Sequence, residues 1–235
     1  MRKHTGFIIF FTLLILIFFW KLISMKGAFL GGDYAAQFYP WSRTYSAAIQ
    51  DFRFPYWTRW FHSGFPLMAE GQVGGFYPLN MLFFFFLPFR IAYNYIVVFH
   101  FVLAGVFTYM FARKTGACQW GGALATLLFC FGSAYAGCFY NTVMVKTLVW
   151  VPLVLLLFEK YFENRKARYV IGAGVVLGIQ LLAGFVQMAF YSALFYLVYF
   201  IYGLMTRKDM RIRDILILAA GLSAAGIIFY PQFVL

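Results

Sequence analysis

The most constraining feature of the sequence is a succession of long apolar runs separated by short polar stretches. Of the 235 residues, 64% are hydrophobic and only 11% are charged, whereas charged residues make up about a quarter of a typical soluble protein. A water-soluble fold of this length cannot hide so much apolar surface, because a large fraction of any globule's surface stays in contact with water. The composition therefore predicts a protein that lies in lipid.

Seven of the apolar runs qualify as membrane spans. Crossing the hydrocarbon layer takes about 20 mostly apolar residues per helix. The runs are continuously apolar rather than alternating with a period of two, which favours helices over a β-barrel. We predict an all-α polytopic membrane protein with a single transmembrane domain over residues 1–235. The predicted helices cover about residues 7–25, 91–112, 120–136, 145–158, 170–184, 186–205 and 215–230.

The lysines and arginines predict how these spans are oriented, since short cytoplasmic loops collect basic residues. If the seven spans alternate, 12 of the 19 basic residues fall on one side. This predicts a cytoplasmic amino terminus and places residues 27–80 outside, as the first extracytoplasmic loop. The net charge of +12 is then mainly an orientation signal, and no nucleic-acid partner is expected. The twelve residues are Arg2, Lys3, Arg113, Lys114, Lys160, Arg165, Lys166, Arg168, Arg207, Lys208, Arg211 and Arg213.

The first span has the basic start and apolar centre of a signal peptide. Its apolar run is long for that role, and residues 22–32 contain no clear cleavage site of small residues. We therefore expect an uncleaved membrane anchor.

Residues 27–80 form the only long interval that is not a hydrophobic run. This interval, called the 27–80 segment below, contains three of the chain's seven acidic residues, Asp33, Asp51 and Glu70. It is also rich in aromatic residues, glycine and proline. Three carboxylates in a chain with so few acidic residues mark the segment as the place to look for chemistry.

The 27–80 segment is predicted to contain juxtamembrane helices. Residues 34–52 are expected to form one or two short helices, interrupted or kinked at Pro40. An apolar stripe at four-residue spacing predicts that this helical part lies flat at the membrane surface. Residues 79–89 are apolar but too short to cross, which predicts a re-entrant or in-plane helix. The stripe consists of Trp41, Tyr45 and Ile49.

Short motifs in a fixed order give the chain a resemblance to a known family. No single motif is specific, but the ordered set is, and it covers nearly the whole chain. The motifs are Gly32-Asp33, Gln37-Phe38-Tyr39-Pro40-Trp41, Pro55-x-Trp57, Gly64-Phe65-Pro66-Leu67, Gln72, Phe76-Tyr77-Pro78-Leu79-Asn80, Trp150-x-Pro152-Leu153 and Ala183-Gly184-x-x-Gln187-x-Ala189-Phe190-Tyr191. With this set the chain resembles the YfhO-like bacterial membrane proteins, which belong to the GT-C glycosyltransferase superfamily.

The resemblance implies an activity and a place for it. Such a protein would transfer a sugar from a polyprenyl-phosphate donor to a cell-envelope acceptor at the outer face of the bacterial cytoplasmic membrane. The catalytic group would be an acidic residue just after the first span, which is Asp33 here. Family members continue well beyond Tyr230 with more spans and an outer domain. The chain is therefore expected to correspond to the seven-helix core, as a fragment of a longer protein or as a form that binds lipid-linked sugar without turning it over.

An inverting sugar transfer needs a carboxylate as general base and a positive charge to hold the departing phosphate. An acceptor hydroxyl attacks the anomeric carbon while the lipid phosphate departs, through an oxocarbenium-like transition state. Phosphate is a weak base, so one carboxylate acting as general base suffices, and we assign that role to Asp33. Among the basic residues, Arg59 is our first choice to hold the departing phosphate. The predicted substrate-binding residues are Tyr34, Gln37, Trp57, Arg59, Glu70, Gln72, Asn141, Lys146 and Gln187.

Each assignment has a structural alternative. Asp33 is well placed to cap the helix that begins at Tyr34, and polar residues at the outer ends of spans commonly cap helices. A transporter, a flippase or a non-catalytic membrane protein that binds lipid-linked sugar would share the hydropathy. The acidic residues lie outside the spans and no inverted repeat is evident, which favours an interfacial enzyme.

No metal site is predicted from residue spacing. The three histidines are scattered, and the three cysteines lack metal-ligand spacing and are interpreted as small apolar residues. His100 lies within the second span and is interpreted as a packed, hydrogen-bonded residue. Some superfamily members use a divalent cation, so a divalent cation stays open as a cofactor.

Overall fold

The structure is a computed structural model that describes residues 2–28, 33–61, 63–132, 135, 137, 141–207 and 211–235, with the backbone alone at residues 2–4 and 34. Over these residues the fold is helical without a β-strand, and one isolated antiparallel bridge joins Thr58 and Phe65. The α-helices are α1 (Arg2–Phe18), α2 (Trp20–Ile23), α3 (Tyr39–Gln50), α4 (Pro78–Phe86), α5 (Phe89–Lys114), α6 (Gln119–Phe131), α7 (Thr142–Leu148), α8 (Val151–Asn164), α9 (Arg168–Leu182), α10 (Val186–Thr206) and α11 (Ile212–Phe233). A π-helical turn, Tyr34–Phe38, leads directly into α3.

Within the described residues, four helices are long and apolar enough to cross a membrane: α5, the combined helix Thr142–Asn164, α10 and α11. Three shorter apolar helices accompany them, namely Thr5–Phe18, Gln119–Phe131 and Arg168–Leu182. Each of these helical stretches overlaps one of the apolar runs of the sequence. Helices α10 and α11 leave many large apolar side chains exposed, which suits a lipid environment. The protein is therefore an all-helical membrane protein.

Several boundaries differ from the sequence-based prediction: α1 ends at Phe18 rather than 25, and the fourth span continues to Asn164 rather than 158. The third run was expected to continue to residue 136, but α6 ends at Phe131 because Gly132 adopts an extended conformation. The fourth run was expected to begin at residue 145, but α7 begins at Thr142 because the side chain of Asn141 caps its first turn.

Helix α5 lies at the centre of the bundle and packs against α1, α6 and α8. Its contact with α1 depends on Gly105, because a Cβ atom at this position would lie 1.9 Å from Cε1 of Phe11. The Phe11 ring occupies the space that any side chain at 105 would need. This contact anchors α1 on the central helix.

The most extensive helix contact joins α9 and α11. The backbones meet at Gly174 and Gly221, where a Cβ atom on Gly174 would lie 1.9 Å from the carbonyl oxygen of Gly221. Small residues allow such close approach between membrane helices, where packing rather than water exclusion holds them together. The α9–α11 contact is therefore specified by glycine.

Ion pairs collect at the end of the bundle away from the 27–80 segment. Glu163 of α8 pairs with Lys114 of α5, and Arg207 pairs with Glu159 at 3.1 Å. Buried Asp214 of α11 accepts a hydrogen bond from the hydroxyl of Tyr161 and lies 3.3 Å from Arg165. The ring of Phe7 stacks on Tyr109 with centroids 4.3 Å apart, which brings the start of α1 to the same end. Lys114, Arg165 and Arg207, from three of the basic clusters of the sequence, therefore lie at one end of the bundle with the start of α1.

The apolar stripe of α3 faces the protein. Trp41, Tyr45 and Ile49 are all buried, packed in a cluster that includes Leu67 and Phe84. The expectation that this face lies flat on lipid is thus corrected: the 27–80 segment folds over α3 and covers it. The covering is visible where the Trp41 ring stacks on Phe65 at 5.0 Å.

Two prolines set the shape of the helices in this segment. Pro40 lies in the first turn of α3, directly after the π-helical turn, so the predicted interruption takes the form of a change of helix type. A proline ring clashes with the carbonyl four residues earlier, and widening the preceding turn relieves the clash. Helix α4 ends at Phe86 because Leu87 must be extended before Pro88.

Candidate functional site

Asp33 is exposed and begins the helical stretch that continues into α3. Gln37 follows one turn later and is half-buried, while the side chain of Tyr34 lies outside the described atoms. The residues directly before Asp33, 29–32, lie outside the described part of the chain. Tyr39, the first residue of α3, is six residues further on, which corresponds to about 9 Å along a helix axis.

Tyr39 lines a cavity of about 410 Å³, called the Arg90 cavity below. This cavity lies between the connection that follows α2, the start of α3 and the first turns of α5, and Arg90 and Lys26 give it positive charge. The other described lining residues are Met25, Gly27, Ala28, Tyr93 and Asn94.

Asn94 connects α5 to α2 and to the chain that follows it, at the wall of the Arg90 cavity. Its side-chain amide donates to the carbonyl oxygens of Leu22 at 3.0 Å and Gly27 at 2.9 Å. These two bonds use both N–H groups of the Asn94 side chain, so the other terminal atom of its amide is the oxygen, Oδ1. Among the described residues, neither that oxygen nor the hydroxyl of Tyr93 has a hydrogen-bond partner, although both are buried, and buried polar atoms of this kind are uncommon.

A second depression, called the arginine groove below, lies along the later part of α3 and has a volume of about 1100 Å³. The segment 53–60 forms its other wall, folded back by the bridge between Thr58 and Phe65. The groove brings together two predicted site residues, Trp57 and Arg59. Its charged and large aromatic lining residues are Arg43, Asp51, Arg53, Phe54, Trp57, Arg59 and Trp60.

The packing of Trp57 explains a glycine in this wall. Gly64 has φ = 133°, and a Cβ atom there would lie 2.6 Å from Cζ2 of Trp57. The indole therefore rests directly on the glycine backbone. Trp57 is positioned by the turn that follows it, while its exposed part lines the arginine groove.

An apolar groove of about 480 Å³ adjoins the arginine groove. It runs between the end of α3 and α4, and it shares Arg53 and Phe54 with the arginine groove. The two grooves therefore meet at these residues. The remaining lining residues of the apolar groove are Ile49, Phe52, Pro78, Met81, Leu82, Phe85 and Phe86.

Asp33 and Arg59 lie outside α3 and near different parts of it: Asp33 comes before its first residue, and Arg59 is in the 53–60 wall of the arginine groove along its later part. Arg43, the member of the arginine groove closest in sequence to Asp33, is ten residues away, which corresponds to roughly 15 Å of helix. Asp33 is not among the described residues that line this groove. The Arg90 cavity, which contains Tyr39, is closer along the chain to Asp33.

A buried polar cluster lies beneath the 27–80 segment. Asn80 donates to the carbonyl oxygens of Val73 at 2.8 Å and Gly74 at 3.0 Å, and its own oxygen accepts from the ammonium of Lys146 at 3.4 Å. Lys146 is 6% exposed, and no carboxylate pairs with it among the described residues. Lys146 therefore binds Asn80, which in turn holds the backbone of residues 73 and 74 in the 27–80 segment.

His100 belongs to the same region. Its Nδ1 lies 2.6 Å from the carbonyl oxygen of Ile96, which requires Nδ1 to donate, and its Nε2 accepts from the hydroxyl of Tyr77 at 2.6 Å. The interpretation of His100 as a packed, hydrogen-bonded residue is confirmed. Sequence reasoning missed Tyr77 and Asn80, although both stand at polar positions of the Phe76–Asn80 motif.

Glu70 and Gln72 lie where the segment meets the turn between α9 and α10. The Glu70 carboxylate accepts a hydrogen bond from the backbone N–H of Gln72 at 2.8 Å. Burial raises the pKa of Glu70 to about 7, although that hydrogen bond opposes the shift. A Cβ atom on Gly184 would lie 2.8 Å from the carbonyl oxygen of Gly71, so the two turns are in direct contact.

Gln187 and Asn141 occupy different surroundings. Gln187 is exposed at the start of α10, three residues after Gly184, and donates to the hydroxyl of Tyr191 at 3.0 Å. The Asn141 oxygen accepts from the backbone N–H groups of Val143 at 2.9 Å and Met144 at 3.2 Å. Asn141 is therefore a helix cap, which is the structural alternative considered for it.

The cysteines differ from one another. Cys130 is buried, in line with its interpretation as a small apolar residue, but Cys118 is exposed. The sulfur of Cys118 accepts from the backbone N–H of Gly121 at 3.3 Å and caps α6. This hydrogen bond lowers the pKa of the Cys118 thiol.

In the part of the chain that the structure describes, no three His, Cys, Asp or Glu side chains are grouped as metal ligands.

No family model, no curated protein and no solved structure matches this chain. Its function is therefore inferred from its residues and their geometry.

Proposed function

We propose that the protein is a GT-C-type membrane glycosyltransferase core, which transfers a sugar from a polyprenyl-phosphate donor to a cell-envelope acceptor at the outer face of a bacterial cytoplasmic membrane. One observation carries the proposal. An exposed carboxylate, Asp33, begins the helical stretch whose next turns line the positively charged Arg90 cavity. A base and a phosphate-attracting cavity therefore belong to one continuous piece of chain.

The proposed topology has seven spans with a cytoplasmic amino terminus. Support comes from the ion pairs of Lys114, Arg165 and Arg207, which lie at or directly after the ends of α5, α8 and α10 at one end of the bundle, while the 27–80 segment covers the other. Basic loops favour the cytoplasmic side. The short helices α6 and α9 then complete the crossing with their flanking residues, and Asp33 faces the outside.

The proposed reaction uses few groups. The Asp33 carboxylate takes the proton of an acceptor hydroxyl as that oxygen bonds to the anomeric carbon. The bond from the anomeric carbon to the phosphate oxygen breaks, and the polyprenyl phosphate leaves with the electron pair. Arg90 would attract the phosphate in its cavity. It takes the role first given to Arg59, which lies in the arginine groove beside the later part of α3. About 9 Å of helix between Asp33 and Tyr39 is a separation that a sugar and its phosphate can bridge.

The remaining predicted contacts divide into two groups. Glu70, Gln72 and Gln187 lie around the contact between the 27–80 segment and the α9–α10 turn, a place where an acceptor could be held. Lys146 is enclosed, so we assign it the positioning of Asn80 and the loop that Asn80 binds.

The test is sugar transfer by the Asp33→Asn variant in membranes supplied with a defined polyprenyl-phosphate sugar. Removing a general base is expected to slow transfer by about 10²- to 10⁴-fold. The Asp51→Asn variant is the matched control, since Asp51 is also an exposed carboxylate of the 27–80 segment, and it should keep transfer within about threefold. Both proteins should insert in equal amounts.

Two results would contradict the proposal. Full transfer by Asp33→Asn would remove the catalytic assignment. Binding of the donor lipid by the wild-type chain without any transfer would instead identify a non-catalytic protein for lipid-linked sugar.

A further inference from the structure

We infer that the arginine groove and the apolar groove together form a second lipid site, which binds an isoprenoid monophosphate of the kind that the proposed transfer releases. The inference rests on the proposed function only for the source of this ligand. The site itself is defined by charge, shape and position.

The charge of the arginine groove suits a phosphomonoester. Arg53 pairs with Asp51 at 2.7 Å, while Arg43 and Arg59 form no ion pair with any described residue. Two arginines are thus free to bind an anion. A phosphomonoester carries a charge of about −1.5 to −2 at pH 7, whereas the phosphodiester of a polyprenyl-phosphate sugar carries about −1. The groove therefore favours the released carrier over the intact donor.

The shape of the apolar groove suits a single chain. It begins at Arg53 and Phe54, which it shares with the arginine groove, and continues along α4 past Leu82 and Phe86. Both of these α4 side chains are exposed. This trough of about 480 Å³ runs along one helix and suits one hydrocarbon chain, whereas the second chain of a diacyl lipid would need room outside it.

The position of the site separates it from the proposed reaction centre. Roughly 15 Å of helix lies between Asp33 and Arg43, so a phosphate bound by Arg43 would lie away from the carboxylate proposed as the base. Transfer converts a phosphodiester and an acceptor hydroxyl into a glycosidic bond, a phosphomonoester and a proton. The monoester gains negative charge in that step, and the second site would draw it away from Asp33.

The test is direct binding to the purified full chain in nanodiscs of a zwitterionic lipid. Farnesyl monophosphate is the probe, farnesol tests the need for phosphate, and phosphatidic acid offers the same phosphomonoester on two acyl chains. Farnesyl monophosphate should bind at least about fivefold more tightly than either comparison lipid. Replacing both arginines, Arg43→Gln with Arg59→Gln, should weaken its binding at least about fivefold.

Matched controls distinguish binding at this site from a general effect of positive charge or of surface hydrophobicity. The pair Lys160→Gln with Lys166→Gln removes the same charge at the other end of the bundle and should leave binding unchanged. Leu82→Ala should weaken binding, whereas Leu124→Ala, at a comparably exposed leucine of α6, should not. Equal loss in both double variants, or equal binding of farnesol, would overturn the inference. Equal binding of phosphatidic acid would overturn the assignment to an isoprenoid.

These outcomes are independent of sugar transfer. If the chain binds farnesyl monophosphate and its Asp33→Asn variant still transfers sugar, the lipid site stands and the catalytic proposal is wrong. Loss of transfer in Asp33→Asn without farnesyl monophosphate binding would do the reverse.

Discussion

At the scale of single residues, Glu70 is a carboxyl group whose surroundings oppose its charge. Burial raises its pKa from an ordinary 4.5 to about 7 in the folded protein. As the pH rises above 4.5, this carboxyl ionises first in the unfolded chain, so the free energy of unfolding falls until about pH 7 and is then constant. Glu70 thus makes the contact between the 27–80 segment and the α9–α10 turn sensitive to pH.

The variant Glu70→Gln should remove this sensitivity. A glutamine side-chain oxygen can still accept the N–H of Gln72 but carries no charge to bury. We expect the thermal unfolding midpoint of the variant to exceed that of the wild type at pH 8 and to match it at pH 4.5. Asp51→Asn is the control, and neutralising that exposed residue should give no gain at pH 8. A lower midpoint for Glu70→Gln at pH 8 would show that the carboxylate is needed in its charged form.

The sequence predicted residue types of the site better than their grouping. The family resemblance pointed to Asp33, and sequence neighbourhood pointed to Trp57 and Arg59, but their separation, with Asp33 before α3 and the other two beside its later part, was not expected. That distribution depends on the bridge between Thr58 and Phe65, and hydropathy periodicity carries no information about such a contact. Asn141 was predicted to bind substrate, with capping as the alternative, and the structure shows the cap, a role decided by residues next to it in the sequence.

At the scale of elements, the helices of the bundle were predictable because each long apolar run is a local feature of the sequence. The π-helical turn before Pro40 and the end of α6 at Gly132 were not, since each depends on how one residue affects the backbone. The burial of the α3 stripe was also unexpected. An apolar stripe shows that a helix has an apolar neighbour, but it does not distinguish lipid from protein.

The α9–α11 contact yields a prediction about glycine. Gly174→Ala places a methyl group against the backbone of Gly221 and should lower the free energy of unfolding by about 1–3 kcal/mol, because backbone cannot move aside as a side chain can. Gly172→Ala, two residues earlier on α9, is the control. Its methyl group would meet only Leu157 at 3.8 Å.

Thermal or denaturant unfolding in detergent measures both α9 variants. Gly172→Ala should be neutral or slightly stabilising, because alanine has the higher helix propensity. Equal destabilisation by the two substitutions would show that the close approach of α9 and α11 is not what holds these helices together.

At the scale of the whole molecule, composition was sufficient to predict a helical membrane protein, because lipid solvent tolerates the exposed apolar faces of α10 and α11. The seven-span topology with an outer 27–80 segment remains our proposal. It requires Asp33 and the start of α6 to lie on opposite sides of the membrane, and every functional assignment made above depends on this arrangement.

Thiol labelling from one side of the membrane tests this arrangement most directly. A chain carrying Asp33→Cys, Cys130→Ala and Cys138→Ala keeps the exposed Cys118 as an internal reference for the cytoplasmic side. In spheroplasts, a membrane-impermeant maleimide should modify the introduced thiol at position 33, and Cys118 should react only after permeabilisation. Modification of Cys118 in intact spheroplasts, with position 33 protected until permeabilisation, would contradict the proposed site at the outer face.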